Sequence, residues 1–266
     1  MSINLFLKSL KEIRISWPSY ALGMVAYVWM LLSVYPTVQS ADIQRLIRTY
    51  PKEFLEFFGG GTGANLATVE GFLALEIFAF MWFVIIGAFV IAYGTGAIGK
   101  EIDTGTIEIL LSQPVSRTSA LITKSITLFG GTAGLVILTM ASVYLFGNIY
   151  NVSVRTEGII ALAIIAILFF AAIGAFSLFF SVILERGRAA MASAGILTAM
   201  YLLTVLAGLA DWAEKLDVIS LFHYYDSAKL LTTGDIPLRS VLVYFGTATS
   251  FYISAILLFN RRDIAV

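Results

Sequence analysis

The chain has 266 residues, of which 59% are hydrophobic and 13% charged, with a formal net charge of zero and a mean hydropathy of +0.90. Soluble domains sit near half apolar and a quarter charged, so the solvent for most of this chain is lipid. The zero net charge argues against a nucleic-acid partner. The absence of cysteine excludes disulfides and thiolate metal sites.

The first turns are amphipathic. Ile3, Phe6, Leu10, Ile13 and Trp17 recur at helical spacing, while Lys8, Lys11 and Glu12 face away. Residues 1–17 therefore read as a helix in the membrane interface, basic face toward headgroups; a basic flank that orients the first span is the plainer alternative. Pro18 suits the first turn of a new helix.

Six runs then reach the roughly 20 apolar residues that a bilayer core takes. They are Tyr20 to Val38, Phe72 to Ala97, Ala120 to Phe146, Gly158 to Leu184, Ala189 to Ala210 and Leu238 to Phe259. Lipid leaves backbone groups no outside partner, and these runs are too long and too uniformly apolar for barrel strands, so helices are expected. Val38-Gln39-Ser40 resembles a signal-peptidase site, but the apolar run before it exceeds an h-region of about 7–15 residues, so the run reads as a retained span. The whole of 1–266 reads as one all-α integral membrane domain, with its spans inside 20–259.

Basic residues set the orientation. With the N-terminus inside, the inner segments hold Lys8, Lys11, Arg14, Lys100, Arg117, Lys124, Arg186, Arg188, Arg261 and Arg262; the outer ones hold Arg45, Arg48, Lys52, Arg155, Lys215, Lys229 and Arg239. Carboxylates show the opposite bias. Both termini are expected in the cytoplasm, on the cell-membrane side where the even number of spans returns the chain.

Outside, residues 39–71 carry a helical face (Ile43, Leu46, Ile47, Tyr50), a break at Pro51 and a Gly59–Gly63 linker; short surface helices are expected. Asp211 to Pro237 mixes charge with rings (Trp212, Phe222, Tyr224, Tyr225), as short helices at headgroup level would. His223, the single histidine, has Asp226 one turn away, but no second histidine exists to complete a metal site. Inside, Glu185-Arg186-Gly187-Arg188 is a tight basic turn.

Little catalytic chemistry is legible. Gly94-Thr95-Gly96-Ala97-Ile98-Gly99-Lys100-Glu101 nearly fits a phosphate-binding P-loop, but Glu101 stands where a hydroxyl should hold magnesium, and no strand precedes it. Its glycines suit close helix packing, and Gly99 suits the end of the helix. No catalytic, cofactor or metal set is expected in this chain, and it is not expected to be an enzyme. Glu76 lies one to two turns inside the outer end of the second run. An acid at that place faces a cavity, a translocation path or the headgroups. Lys124 is placed to snorkel to the inner surface.

The densest polar stretch is Gly99 to Arg117, between the second and third runs. Asp103 and Thr104 suit helix caps. Gly105 to Ser112 reads as a helix of about two turns, roughly 12 Å long, with Glu108 near its positive end. Pro114 stops it, and Ser116 caps the next helix.

These residues resemble a family. Glu101-Ile102-Asp103-Thr104-Gly105-Thr106-Ile107-Glu108-Ile109-Leu110-Leu111-Ser112-Gln113-Pro114-Val115-Ser116-Arg117, with Lys124 following, is similar to the inner loop of type-2 ABC transporter permeases of the exporter class. Ile219-Ser220-Leu221-Phe222-His223-Tyr224-Tyr225, Gly234 and the tail Phe259-Asn260-Arg261-Arg262-Asp263 continue the resemblance. It implies a permease subunit of an ATP-driven exporter that dimerises, with a copy or a related chain, and docks on a separate ABC ATP-binding subunit. ATP and magnesium would lie on that partner. The loop would be a cytoplasmic coupling helix, with Glu101, Asp103, Gly105, Thr106, Glu108, Pro114 and Arg117 forming or holding it. An ATP-independent transporter or channel would carry more ionisable residues at mid-membrane depth. A membrane-embedded enzyme would need a convergent polar site.

Overall fold

The computed structural model describes residues 3–39, 68–105 and 116–262. All regular structure among these is helical. Helix α1 (Ile3–Ile13) precedes α2 (Ser16–Val38). The second span is one stacked segment, α3 (Val69–Leu73), a π-helical turn (Ala74–Phe78) and α4 (Met81–Asp103). Then come α5 (Arg117–Ile149), α6 (Thr156–Ile183) and α7 (Arg186–Ala207). Short α8 (Asp211–Asp217), a 3-10 turn (Phe222–Tyr224) and α9 (Ser227–Thr233) lead to α10 (Leu238–Arg261).

Six of these segments are long and apolar enough to cross a membrane, and they fall on the six runs read from the sequence. Their polar ends extend the runs, because helical hydrogen bonding continues past the apolar stretch until a residue ends it. The segment Val69–Asp103 has 35 residues, about 52 Å at 1.5 Å each. That exceeds a hydrocarbon core of about 30 Å, so its ends reach beyond the lipid.

Helix α6 is the central pillar, in contact with α4, α5, α7, α9 and α10. It is apolar on every side, as a helix buried among other helices is. Helices α7 and α10 instead turn most of their surface outward. Leu202, Leu242, Phe245 and Leu257 are exposed there, the surface that lipid solvates. Near the end away from the termini, Phe83 of α4 meets Phe169 of α6 at 5.0 Å and Phe222 at 4.7 Å between ring centres. Tyr244 of α10 donates to the Leu221 carbonyl at 3.0 Å. These rings bind the segment between α7 and α10 into the bundle.

The glycines of the P-loop-like stretch do serve packing. A Cβ on Gly94 would lie 2.8 Å from that of Ser177 on α6. Gly99, however, does not end its helix. The helix runs on to Asp103, and Gly105 breaks it with φ +68°. Asp103 is the last residue of the second span and Thr104 follows as its C-terminal cap, before the left-handed step at Gly105. Residues 106–115, which include most of the expected coupling helix, lie outside the described residues, as do the expected surface helices within 40–67. Ser116 caps α5 as expected, its hydroxyl accepting from Ser119 N at 3.2 Å.

Among the described glycines the closest approach is at Gly158, where an added Cβ would overlap the Leu231 carbonyl oxygen and lie 2.8 Å from the Leu231 Cα. Gly158→Ala should therefore destabilise by about 1–3 kcal/mol through overpacking, read as a lower thermal midpoint in detergent. Gly195→Ala, where a Cβ meets nothing within 4 Å, should leave the midpoint unchanged or raise it.

Candidate functional site

One linked group of charges lies at the end of the bundle where α1 meets the end of α4 and the start of α5. Helix α1 carries Lys8 and Glu12 four residues apart, hence on one face. That face does not look away from the bundle, as its sequence pattern suggests. It turns toward the end of α4 and the start of α5. Lys8 Nζ lies 2.8 Å from Glu101 Oε1. Lys124 Nζ reaches Glu101 Oε1 at 3.3 Å and both Glu12 oxygens at 2.8 Å. The four charges alternate in sign along Lys8–Glu101–Lys124–Glu12 and sum to zero.

Burial decides what this chain of charges is worth. The Lys124 and Glu101 side chains are 1% and 5% exposed; Lys8 is half exposed. Lys124 does not snorkel to the surface, because two carboxylates hold it inside. Ions removed from water lose several kcal/mol of hydration each, and only close partners offset that loss. Removing one partner is then far worse than removing all.

The helix that follows residues 106–115 is also tied at its start. Arg117, the first residue of α5, donates through Nη1 to the carbonyls of Phe259 at 3.2 Å and Arg262 at 2.5 Å. Those carbonyls belong to the end of α10, where helical geometry leaves acceptors unpaired and negative potential gathers. Thr118 and Asn260 join through their side chains at 2.9 Å. Arg262 in turn donates to the Val182 carbonyl at the end of α6. One root of the loop is thus tied to α1 and the other to α10 and α6.

Of the residues the sequence singled out, Glu101 and Arg117 make these ties, and Asp103 and Gly105 end α4 beside them. Thr106, Glu108 and Pro114 lie outside the described residues. Lys8, Glu12 and Asn260 were not read as site residues. The signal for Glu12 was Lys124 itself, a cation within an apolar run that needed an anion.

A family comparison matches residues 3–264 to the ABC-2 family transporter protein. The chain belongs to the ABC-2 transporter family. Neither the curated proteins nor the solved structures yield a match. The chain is thus a multi-pass membrane protein and a permease of an ABC transporter, a system that implies an ATP-binding partner. The family's membrane component is a transport part and not itself catalytic.

In this ABC-2 permease, Glu76 sits in the π-helical turn and its side chain is exposed on the outside of the bundle. Tyr27 Oη donates to the Glu76 backbone carbonyl at 2.9 Å, satisfying an acceptor in the irregular turn. At the same end, His223 Nδ1 pairs with Asp217 Oδ2 at 2.7 Å. Asp226 is not its neighbour; that carboxylate caps α9 by accepting from Lys229 N at 2.9 Å. Asp217 also accepts from Thr204 Oγ1 of α7 at 2.5 Å, and Thr204 Oγ1 lies 2.8 Å from Ser220 Oγ, whose hydroxyl donates to the Met200 carbonyl. Among the described residues no three metal-ligating side chains gather.

The buried charges make a stability test. Lys124→Met leaves Glu101 and Glu12 without their shared cation and should cost about 3–5 kcal/mol. The triple change Glu12→Gln, Glu101→Gln, Lys124→Met removes all three charges and should cost clearly less than Lys124→Met alone. Thermal or denaturant midpoints of the purified proteins check the order.

Proposed function

We propose that this permease is the membrane subunit of an ATP-driven exporter, and that the 106–115 loop receives the stroke of a separate ABC ATP-binding subunit as a coupling helix. The observation that carries this reading is the double anchorage of the loop, through Glu101 on one side and Arg117 on the other. A flexible tether would need no such roots. A loop that must move its helices needs both ends fixed, so that a displacement reaches α1, α4, α5 and α10 together.

The chain forms a single permease domain in the cell membrane. Both termini and the loop lie in the cytoplasm, where the partner holds ATP and magnesium; this chain holds neither. Helix α1 rests in the interface: Leu5 and Ile13 are buried in the bundle, while Ile3, Leu7 and Leu10 form an exposed apolar stripe suited to lipid. Two permease subunits, identical or related, enclose the path, and Glu76 borders it from the π-helical turn. Thr106, Glu108 and Pro114 shape the coupling helix itself, with Asp103 and Gly105 setting its entry.

The test is co-purification with the ATP-binding subunit and measurement of ATP turnover in the complex. Glu108→Arg inverts a charge on the proposed contact. Gly105→Pro forces φ near −65° where the chain has +68°. Each should lower partner binding or transport-coupled turnover at least about fivefold, the scale of an ordinary coupling energy. Intact binding and turnover in both variants would refute the coupling role.

A further inference from the structure

Beside the buried charge chain, at the same end of the bundle, lies a cleft of about 210 Å³ with two unlike walls. It is bounded by the junction of α1 and α2, the terminal turns of α4 and the first residue of α7. One wall is cationic. Lys100 and Arg186 border it, and neither makes an ion pair among the described residues. The third charged group, Glu12, already gives both its oxygens to Lys124 and so adds no uncompensated negative charge. The other wall is apolar and aromatic, with Tyr20 and Phe89 in edge-to-face contact at 5.7 Å.

The backbone is shaped to hold the cationic wall. Residues 89, 92, 93, 96 and 100 of α4 follow helical spacing and form one stripe along the cleft. At Gly96 a Cβ would lie 3.5 Å from Arg186 Nε, so the arginine stem crosses α4 where no side chain stands. At Gly99 a Cβ would lie 3.1 Å from the Arg186 Cα, so α7 begins almost in backbone contact with α4. Arg186 thereby shares the cleft with Lys100, and two like charges lining one cleft favour an anion within it.

We infer that this cleft binds one anionic phospholipid from the leaflet at the termini end, its phosphate between Lys100 and Arg186 and an acyl chain along Tyr20 and Phe89. The chemistry selects among amphiphiles. A guanidinium grips a phosphate through paired donors, and an ammonium beside it adds charge. A choline headgroup would place a third cation by the first two. A free phosphate would leave the aromatic wall unused. The bound lipid bridges the starts of α2 and α7 to the end of α4, next to Glu101.

The test is native mass spectrometry of the purified full chain, titrated in detergent with dioleoyl phosphatidylglycerol, dioleoyl phosphatidylcholine or inorganic phosphate. One phosphatidylglycerol per chain should be retained, and neither phosphatidylcholine nor phosphate at comparable concentration. Lys100→Gln/Arg186→Gln should weaken that binding at least about tenfold, the loss of charge-assisted hydrogen bonds. Lys11→Gln/Arg188→Gln removes the same charge from exposed residues outside the cleft and should bind as the unaltered chain does. Lys100→Arg keeps the cation and should keep the lipid, which separates a lost contact from a damaged fold. Equal loss in both double variants, unchanged affinity in the first, or binding of inorganic phosphate alone would each overturn the assignment.

Discussion

The packing of α1 against α4 and α5 depends on holding the Lys124 cation inside protein. A cation 1% exposed cannot stand without anions within reach. Glu101 and Glu12 supply them, and each comes from a different helix. That requirement fixes where α1 lies: it has to bring Glu12 to α5, and so Lys8 arrives at Glu101. The position of this peripheral helix is thus set by electrostatics as well as by the burial of Leu5 and Ile13.

The same economy of groups holds the other loop root. The final carbonyls of α10 have no helical partner, and Arg117 supplies one from the start of α5. Arg262 repeats the device at the end of α6. Helix ends that lipid or water would otherwise cover are stitched to one another by guanidinium groups. The loop between 105 and 116 therefore springs from two fixed points, and this geometry suits a part that receives force in an ABC transporter. At the far end, Thr204, Asp217, Ser220 and His223 tie α7 to the segment before α10.

Much of this was legible in sequence, for physical reasons. Lipid demands long uniform apolar runs, so the six spans could be read almost to their ends. Ser116 as a cap follows from local chemistry, and the structure bears it out. Long-range pairings were harder. Lys124 was visible as a cation in an apolar run, but nothing local says that Glu12, 112 residues away, will meet it. His223 found Asp217 instead of Asp226 because Asp226 was already committed to its own helix. Gly99 was misread as a stop because the pattern of a breaker and that of a close-packing glycine are the same in sequence; the Arg186 backbone against it decides between them.

In the proposed coupling, α1 and the residues flanking 106–115 move as one body. The chain has no cysteine, so spin labels can be placed at will. Labels at positions 11 and 103, on α1 and at the end of α4, should give one narrow distance in the complex with the ATP-binding subunit, the same with and without ATP. In Glu101→Gln that distribution should broaden. A wild-type distance that shifts when ATP binds, with α1 left behind as α4 moves, would show that they do not move as one body.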